Sequence, residues 1–476
     1  MIEHRILGIR YNVDYNDSPH PIRTFSELMP QFVKDTGTTA LTRMLTRVFG
    51  LLSTVLLARF LGPSGNGYYT LALLFASTTV ALMNFGLSST TIYYLARGKY
   101  NREEVLGHLF LFNIFVTALA LSVGWIIVIY FKDWLFPQTP RTYLLLGIWI
   151  IPGSFFYRFF RSALLGLQRF DLYNFGQVFW AVARLLLLAL AFFLFDAKIS
   201  GAILAEATSW MLGALLFFHW TKSAVPRWSF HFNIPLIQEM LVYGFQSYLG
   251  NLLAFFNYRS NLFLINFFLG PSAVGIYSIA VGLAERLWLI SQTASTVLLP
   301  RVSAATDPEW RRRFTPLITR TVFIMVFPAA ILLGFFARPL IVLLYSEAFL
   351  EAAQPLQILL IGIVTFSLSR VLAQDIAGRG YPLLNTYTSA LALAVNIGLN
   401  LLLIPLWGIK GAAWASAVSY TALFISKLML YGRLSGNSWG DVIWSKRNDW
   451  ALYYETAKKI ISWIYRSYPS STEKDQ

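Results

Sequence analysis

The sequence predicts an all-α integral membrane protein of about twelve transmembrane helices, arranged as two parallel six-helix repeats. Three observations carry that expectation. The 476 residues are 56% hydrophobic and 13% charged, with a mean hydropathy of +0.56, whereas an ordinary soluble domain is about 25% charged. About twelve runs are long and apolar enough to cross a hydrocarbon core of about 30 Å, which takes about 20 residues. The second half of the chain also echoes the first at a nearly constant offset. So much apolar surface excludes a water-soluble enzyme. The net charge of +15 is scattered between apolar runs, which argues against a nucleic-acid partner. The absence of cysteine excludes disulfides, thiolate metal sites and cysteine nucleophiles.

In chain order, residues 1–36 read as a charged cytoplasmic extension without the apolar core of a signal peptide, with Met29 as an alternative start. The first bundle covers 37–220. Its spans are Gly37–Leu61, Tyr68–Leu95, Leu106–Phe131, Thr142–Leu165, Leu172–Phe195 and Ile199–Trp220. A cytoplasmic linker, 221–244, leads to the second bundle, 245–433. There the spans are Phe245–Leu269, Ala273–Leu299, Phe314–Ala337, Ala352–Ala377, Leu383–Leu406 and Ile409–Tyr431. The tail, 434–476, mixes Trp444, Trp450 and Trp463 with Lys446, Arg447, Lys458 and Lys459, as an amphipathic segment in the headgroup layer would. Links between spans are short and carry turn residues, such as Gly62-Pro63-Ser64-Gly65 and Gly380-Tyr381-Pro382.

Basic residues in short loops set orientation. Links after even-numbered spans hold Arg97, Lys99, Arg102, Arg169, Lys222, Arg227, Arg301, Arg311, Arg312, Arg313 and Arg379. Those after odd-numbered spans hold Lys132, Arg141, Lys198, Arg338 and Lys410. The bias expects both termini on the cytoplasmic side of the cell membrane.

The repeat is specific. Phe60-Leu61-Gly62-Pro63-Ser64 with Gly67, Tyr69 and Ala72 recurs 208 positions later as Phe268-Leu269-Gly270-Pro271-Ser272 with Gly275, Tyr277 and Ala280. Ile199, Gly201, Ala202, Ala205, Ala207 and Ser209 recur at 210 as Ile409, Gly411, Ala412, Ala415, Ala417 and Ser419. Six helices separate equivalent positions, so the halves share one orientation, with a site expected at their interface.

Thr46-Arg47-Val48-Phe49-Gly50 leading to Ala58-Arg59-Phe60-Leu61-Gly62-Pro63, then Asn84-Phe85-Gly86-Leu87 and the Gly201-Ala202 and Gly411-Ala412-Ala413 helix starts, resembles the polysaccharide transporter (Wzx-type) flippases. These belong to the superfamily that also holds multidrug and toxin extrusion exporters and the lipid II flippase. The resemblance runs over about Thr36 to Tyr431. It implies a multidrug-and-toxin-extrusion-like fold and the flipping of polyprenyl-pyrophosphate-linked oligosaccharide, a polysaccharide repeat unit, from inner to outer leaflet. Membrane lipids surround such a protein. Polymerase or glycosyltransferase partners and coupling to H⁺ or Na⁺ are left open.

Ionisable residues at membrane depth are costly and mark function. At 1.5 Å per residue, Arg47 lies about 15 Å into the first span, Arg184 about 18 Å into the fifth and Arg259 about 21 Å into the seventh. Glu285 and Arg286 lie about 20 Å into the eighth; adjacent on one helix, they must find separate partners. The repeat aligns Arg43, Arg47 and Leu51 with Asn251, Phe255 and Arg259, one stripe per half. Arg43, Arg47, Arg158, Arg184, Arg259, Arg286 and Asn251 are therefore candidate substrate-binding residues, since a guanidinium fork fits phosphate oxygens. Glu285, Glu206 and Asp375 are the candidate ion-coupling acids. His4, His20, His108, His219 and His231 show no metal-ligand spacing, and no cofactor or catalytic motif stands out. Within the superfamily, a lipid II-type flippase or a multidrug/cation antiporter is the alternative; a membrane glycan polymerase or ligase is the rival from another class. The short loops argue against the last, and the excess of arginine over acids against the antiporter.

Overall fold

The computed structural model describes residues 25–231, 233–304 and 307–444, together with 5–6, 9–10, 449, 454 and 458. Most of the extension and tail expectations fall outside them. Two short strands, β1 (Arg5–Ile6) and β2 (Ile9–Arg10), pair antiparallel. The rest is helical. The first bundle comprises α1 (Phe25–Met83), α2 (Leu87–Arg97), α3 (Arg102–Leu135), α4 (Arg141–Gly166), α5 (Phe170–Phe193) and α6 (Ile199–Ala224). The second comprises α7 (Ile234–Leu269), α8 (Pro271–Ala284), α9 (Trp288–Ala304), α10 (Pro308–Phe335), α11 (Ala337–Tyr345), α12 (Glu347–Gly378), α13 (Pro382–Trp407) and α14 (Ile409–Ser435). A short α15 (Trp439–Ile443) follows. Among the described residues, 11 helices are long and apolar enough to cross a membrane. The first of them is broken at Gly62, so the expected twelve segments are present.

The repeated Phe-Leu-Gly-Pro-Ser is a helical corner one residue wide. Gly62 (φ 64, ψ −176) and Gly270 (φ 81, ψ −177) adopt nearly the same conformation, one open in practice only to glycine. Pro63 and Pro271 then open the next helix, where no N–H is needed. The two corners pack against each other across the bundle interface. A Cβ on Gly67 would collide with the Pro271 carbonyl, and one on Gly275 with the Pro63 carbonyl. Asn66 Nδ2 donates to the Gly275 carbonyl at 3.0 Å and to Ser278 Oγ at 3.1 Å. On the same side, Arg59 Nε donates to the Leu344 carbonyl at 2.9 Å, capping the end of α11.

The bundles also meet at the opposite end. Gly86 abuts the Gly244 backbone, and Tyr248 Oη donates to the Leu82 carbonyl at 2.7 Å. Tyr93 stacks on Tyr243 with centroids 4.2 Å apart, and Lys99 pairs with Glu239 at 2.7 Å.

Several boundaries differ from the sequence reading. The second span is interrupted at 84–86, where Phe85 and Gly86 take positive φ. The helix of the eighth passes through a 3₁₀ turn at Glu285–Leu287. The linker of 221–244 shrinks to 225–233, because α7 starts at Ile234, capped by Asn233 Oδ1 accepting from the Leu236 N–H. α1 starts at Phe25, inside the expected extension. The start of the tail is docked: Arg320 of α10 makes a bidentate pair with Asp449, at 2.6 and 2.9 Å, and bonds the Asp441 carbonyl.

One apolar core is centred on the first bundle, with Phe155, Phe159 and Phe217; the other, with Tyr345, Phe349 and Leu356, is centred on the second and runs across to Leu71, Phe75 and Phe136 of the first. Each bundle also has a buried polar knot at repeat-equivalent positions. In the first, Glu206 accepts from Tyr69 Oη (2.8 Å), Arg184 Nε (2.5 Å) and Trp210 Nε1 (3.0 Å). In the second, Tyr277 and Ser416, the equivalents of Tyr69 and Glu206, meet Asn261. Asn261 is bonded in turn by Asn400 at 2.8 Å. Polar groups out of reach of water must be satisfied within the protein, so these knots fix how the helices of each bundle stack.

Removing one side of the charged knot should cost far more than removing both. Glu206→Met strands the Arg184 charge, a loss of about 3–5 kcal/mol. Arg184→Met/Glu206→Met should recover much of it. Thermal unfolding in detergent reads the difference; a double variant no more stable than the single one would refute the pairing.

Candidate functional site

Between the bundles lies a cavity of about 500 Å³. Thr70, Leu74 and Ser77 of α1, Ser154 and Arg158 of α4, and Glu206 and Trp210 of α6 form one wall. Phe255, Tyr258 and Arg259 of α7, Ser278 and Val281 of α8, and Glu285 at the 3₁₀ turn form the other. An adjoining cavity of about 390 Å³ lies where α1 meets α8 and α9, lined by Thr46, Arg47, Gly50, Arg286, Trp288 and Gln292. Gly282 and Glu285 line both.

The 3₁₀ turn organises the junction. It sends Glu285 and Arg286 in different directions, as their adjacency requires. Glu285 pairs with Arg259 at 3.5 Å. Arg286 donates through Nη1 to the Arg47 carbonyl at 3.0 Å, while Arg47 Nη1 reaches the Arg286 carbonyl at 3.5 Å and Nη2 donates to Gln292 Oε1 at 2.9 Å. The two guanidiniums are thus held by neutral oxygens and keep their charge available. Arg158 is similar: its Nε donates to Ser154 Oγ at 3.2 Å, its guanidinium lies 6.0 Å from the Trp210 ring, and no acid pairs with it among the described residues.

Four arginines therefore line the two cavities, against Glu285 and Glu206. Glu206 is already neutralised from behind by Arg184. The balance is cationic, in a space that can receive an anion with several oxygens.

Of the residues singled out in the sequence, Arg47, Arg158, Arg259, Arg286, Glu206 and Glu285 come together around these cavities. Arg184 lies behind the wall in the polar knot. Arg43, one turn before Arg47, and Asn251, exposed on α7, line neither cavity. Asp375 is fully buried elsewhere, accepting from Thr315 Oγ1 at 2.6 Å and from Arg379. Sequence reasoning missed Ser154, Trp210, Tyr258 and Gln292. The first two stand four residues from Arg158 and Glu206, so helical spacing alone could have found them. It also missed Lys427, buried inside α14.

A family model described as "Polysaccharide biosynthesis protein" matches residues 56–354. A membrane protein of Methanocaldococcus jannaschii is 25% identical over 77% of this chain and 77% of its own length. A Shigella flexneri protein assigned as an O-antigen transporter is 21% identical over 79% of this chain and 92% of its own. Among solved structures, a lipid II flippase in an inward closed conformation aligns with a TM-score of 0.69 at 15% identity, over 90% of this chain and 98% of that one. An inward-facing multidrug resistance transporter aligns at 0.68 and 14% identity, over 84% and 99%. Fold, repeat and family match agree: the chain belongs to the polysaccharide biosynthesis protein family, as a multi-pass membrane protein.

Proposed function

We propose that the protein flips polyprenyl-pyrophosphate-linked oligosaccharide from the inner to the outer leaflet of the cytoplasmic membrane, by alternating access of its two bundles. The observation that carries this reading is the cationic pair of cavities between the bundles, where Arg158, Arg259, Arg47 and Arg286 outnumber the acids. A pyrophosphate offers several oxygens to these forks, while the oligosaccharide occupies the remaining volume beside Trp210 and Tyr258. Translocation needs no covalent step. The bundles rock, parting the contacts at one end while those at the other persist. Moving negative charge outward against an inside-negative potential gains about 2.3 kcal/mol per charge per 100 mV.

Glu285 is the acid suited to coupling. A phosphate that takes over Arg259 releases the Glu285 carboxylate to hold a coupling cation. Glu206 lines the cavity but is held by Arg184, Tyr69 and Trp210, and Asp375 is held by Arg379 away from it. A cation antiporter would need an unpaired acid in the cavity, and both lining acids are paired.

In proteoliposomes containing a fluorescent polyprenyl-pyrophosphate oligosaccharide, with leaflet quenching as readout, Arg259→Gln and Arg158→Gln should each slow flipping about 10–100-fold, the equivalent of a charge-assisted hydrogen bond of about 1.5–3 kcal/mol. Arg47→Gln should fall in the same range, and Asn251→Ala should stay within about twofold of the parent, as a side chain outside the site. Unchanged flipping in both Arg158→Gln and Arg259→Gln would overturn the assignment. Orientation can be tested directly because the chain has no cysteine. An impermeant maleimide should label Glu351→Cys from outside intact cells and Ser223→Cys only in inverted vesicles; the opposite pattern would invert the topology.

A further inference from the structure

The arginines around the two cavities fall into two separate groups. Arg47 lies among the charges of Arg286, Glu285, Arg370 and Arg43. Arg158, on the wall that α4 and α6 give to the central cavity, lies beside Arg161 and Tyr157 instead, and the two groups share no member. A pyrophosphate is one compact cluster of oxygens and can satisfy one such centre. Arg47, Arg286 and Gln292, with Arg259 opposite Glu285, already meet that need. Arg158 is left over. Its Nε is spent on Ser154 Oγ at 3.2 Å, while its two terminal nitrogens take no partner among the described residues. Arg161, one turn further along α4, lies 5.8 Å from the Tyr173 ring and likewise pairs with no acid among them. Two cations on one helix face therefore direct an unbalanced charge at the cavity.

Beside Arg158 the wall carries a fixed aromatic ring. Trp210 Nε1 donates to Glu206 Oε1 at 3.0 Å, Trp180 packs on the indole with centroids 4.7 Å apart, and Tyr157 meets it edge-on at 4.9 Å. Held on these sides, Trp210 stays partly exposed and lines the cavity 6.0 Å from the Arg158 guanidinium. Ser77 of α1 also lines it; its hydroxyl donates to the Leu74 carbonyl at 3.1 Å, which leaves the oxygen an acceptor for a ligand hydroxyl. A rigid indole offers its face to the C–H side of a sugar ring. A guanidinium fork with both terminal nitrogens open fits a carboxylate.

We propose that this wall is a subsite for an acidic sugar, whose ring lies on Trp210 and whose carboxylate takes the open end of Arg158. The inference rests on the flippase reading and narrows it: the glycan carried across the membrane bears a carboxylate. A neutral sugar filling this space would dry the Arg158 charge without balancing it, a cost that a carboxylate removes.

The test compares two polyprenyl-pyrophosphate disaccharides in proteoliposomes, identical except that the second sugar is glucuronic acid in one and glucose in the other. The parent should flip the acidic one at least about tenfold faster, the worth of one charge-assisted fork. Arg158→Gln should narrow that ratio to about twofold or less, and Arg158→Lys, which keeps the charge, should hold it at about threefold or more. Arg259→Gln should slow both glycans and keep the ratio. Trp210→Leu should slow both by at least about fivefold, while sugar-free polyprenyl pyrophosphate, used as a competitor, binds this variant as it binds the parent. A parent that flips both glycans alike would overturn the acidic subsite. So would Arg158→Gln slowing both with the ratio intact, which would assign Arg158 to the pyrophosphate. Weakened sugar-free binding in Trp210→Leu would overturn the stacking platform. A parent that flips neither disaccharide would instead overturn the flippase reading itself.

Discussion

Inside a hydrocarbon layer no polar group can borrow a hydrogen bond from water, and the architecture follows from that constraint. Each bundle must first satisfy itself. The first does so with an ionic knot of Tyr69, Arg184 and Glu206, the second with the hydroxyls and amides of Tyr277, Ser416, Asn261 and Asn400. Once each bundle is self-sufficient, the guanidiniums at their interface are not structural debris. Arg47 and Arg286 are held by backbone carbonyls and a glutamine, and Arg158 by a serine. These contacts orient the charge without cancelling it, so the interface stays receptive to an anion and the bundles stay free to part.

Much of this architecture was legible in the sequence because the signals are local. Span length follows from apolar run length, and the Gly-Pro corners from residues that tolerate one backbone shape. Depth along a helix also follows from counting, which is why Arg47, Arg259 and Glu285 were identified as interior charges. Pairing across helices was not legible. Arg184 and Glu206 both stood out as deep charges, yet nothing in their spacing says that α5 and α6 turn them toward each other. The repeat placed Arg43 and Asn251 on the cleft stripe with Arg47 and Arg259. The cavities stop short of both residues, because the repeat fixes which face of a helix a residue shares but not how deep a cavity runs along it. The sequence reading starts the seventh span at Phe245, where its apolar run begins, whereas α7 starts at Ile234 and uses Glu239 to hold Lys99.

The spaces along α1 differ in chemistry. The cavity it shares with α8 and α9 is polar and cationic, whereas Phe75 and Thr79 face an apolar pocket against Phe256 and Phe263 of α7. The second arm of α1 also lines the central cavity with Thr70 and Ser77. A shift of that arm would therefore be felt in the central cavity and the apolar pocket at once.

The corner contact has a consequence for the history of the chain. Pro63 and Gly67 offer to the other half the same surface that Pro271 and Gly275 offer back. Such reciprocity defines the interface of a two-fold homodimer. A single six-helix unit with this corner could associate with its own copy, and joining two copies end to end preserves the contact. Fusion also lifts the obligation of identity. A homodimer must carry an ionic knot in both units or in neither, whereas the joined chain keeps charge in one bundle and amides in the other. It can likewise place Arg259 in one half and Leu51 at the matching position of the other, building an asymmetric cargo site on a symmetric frame.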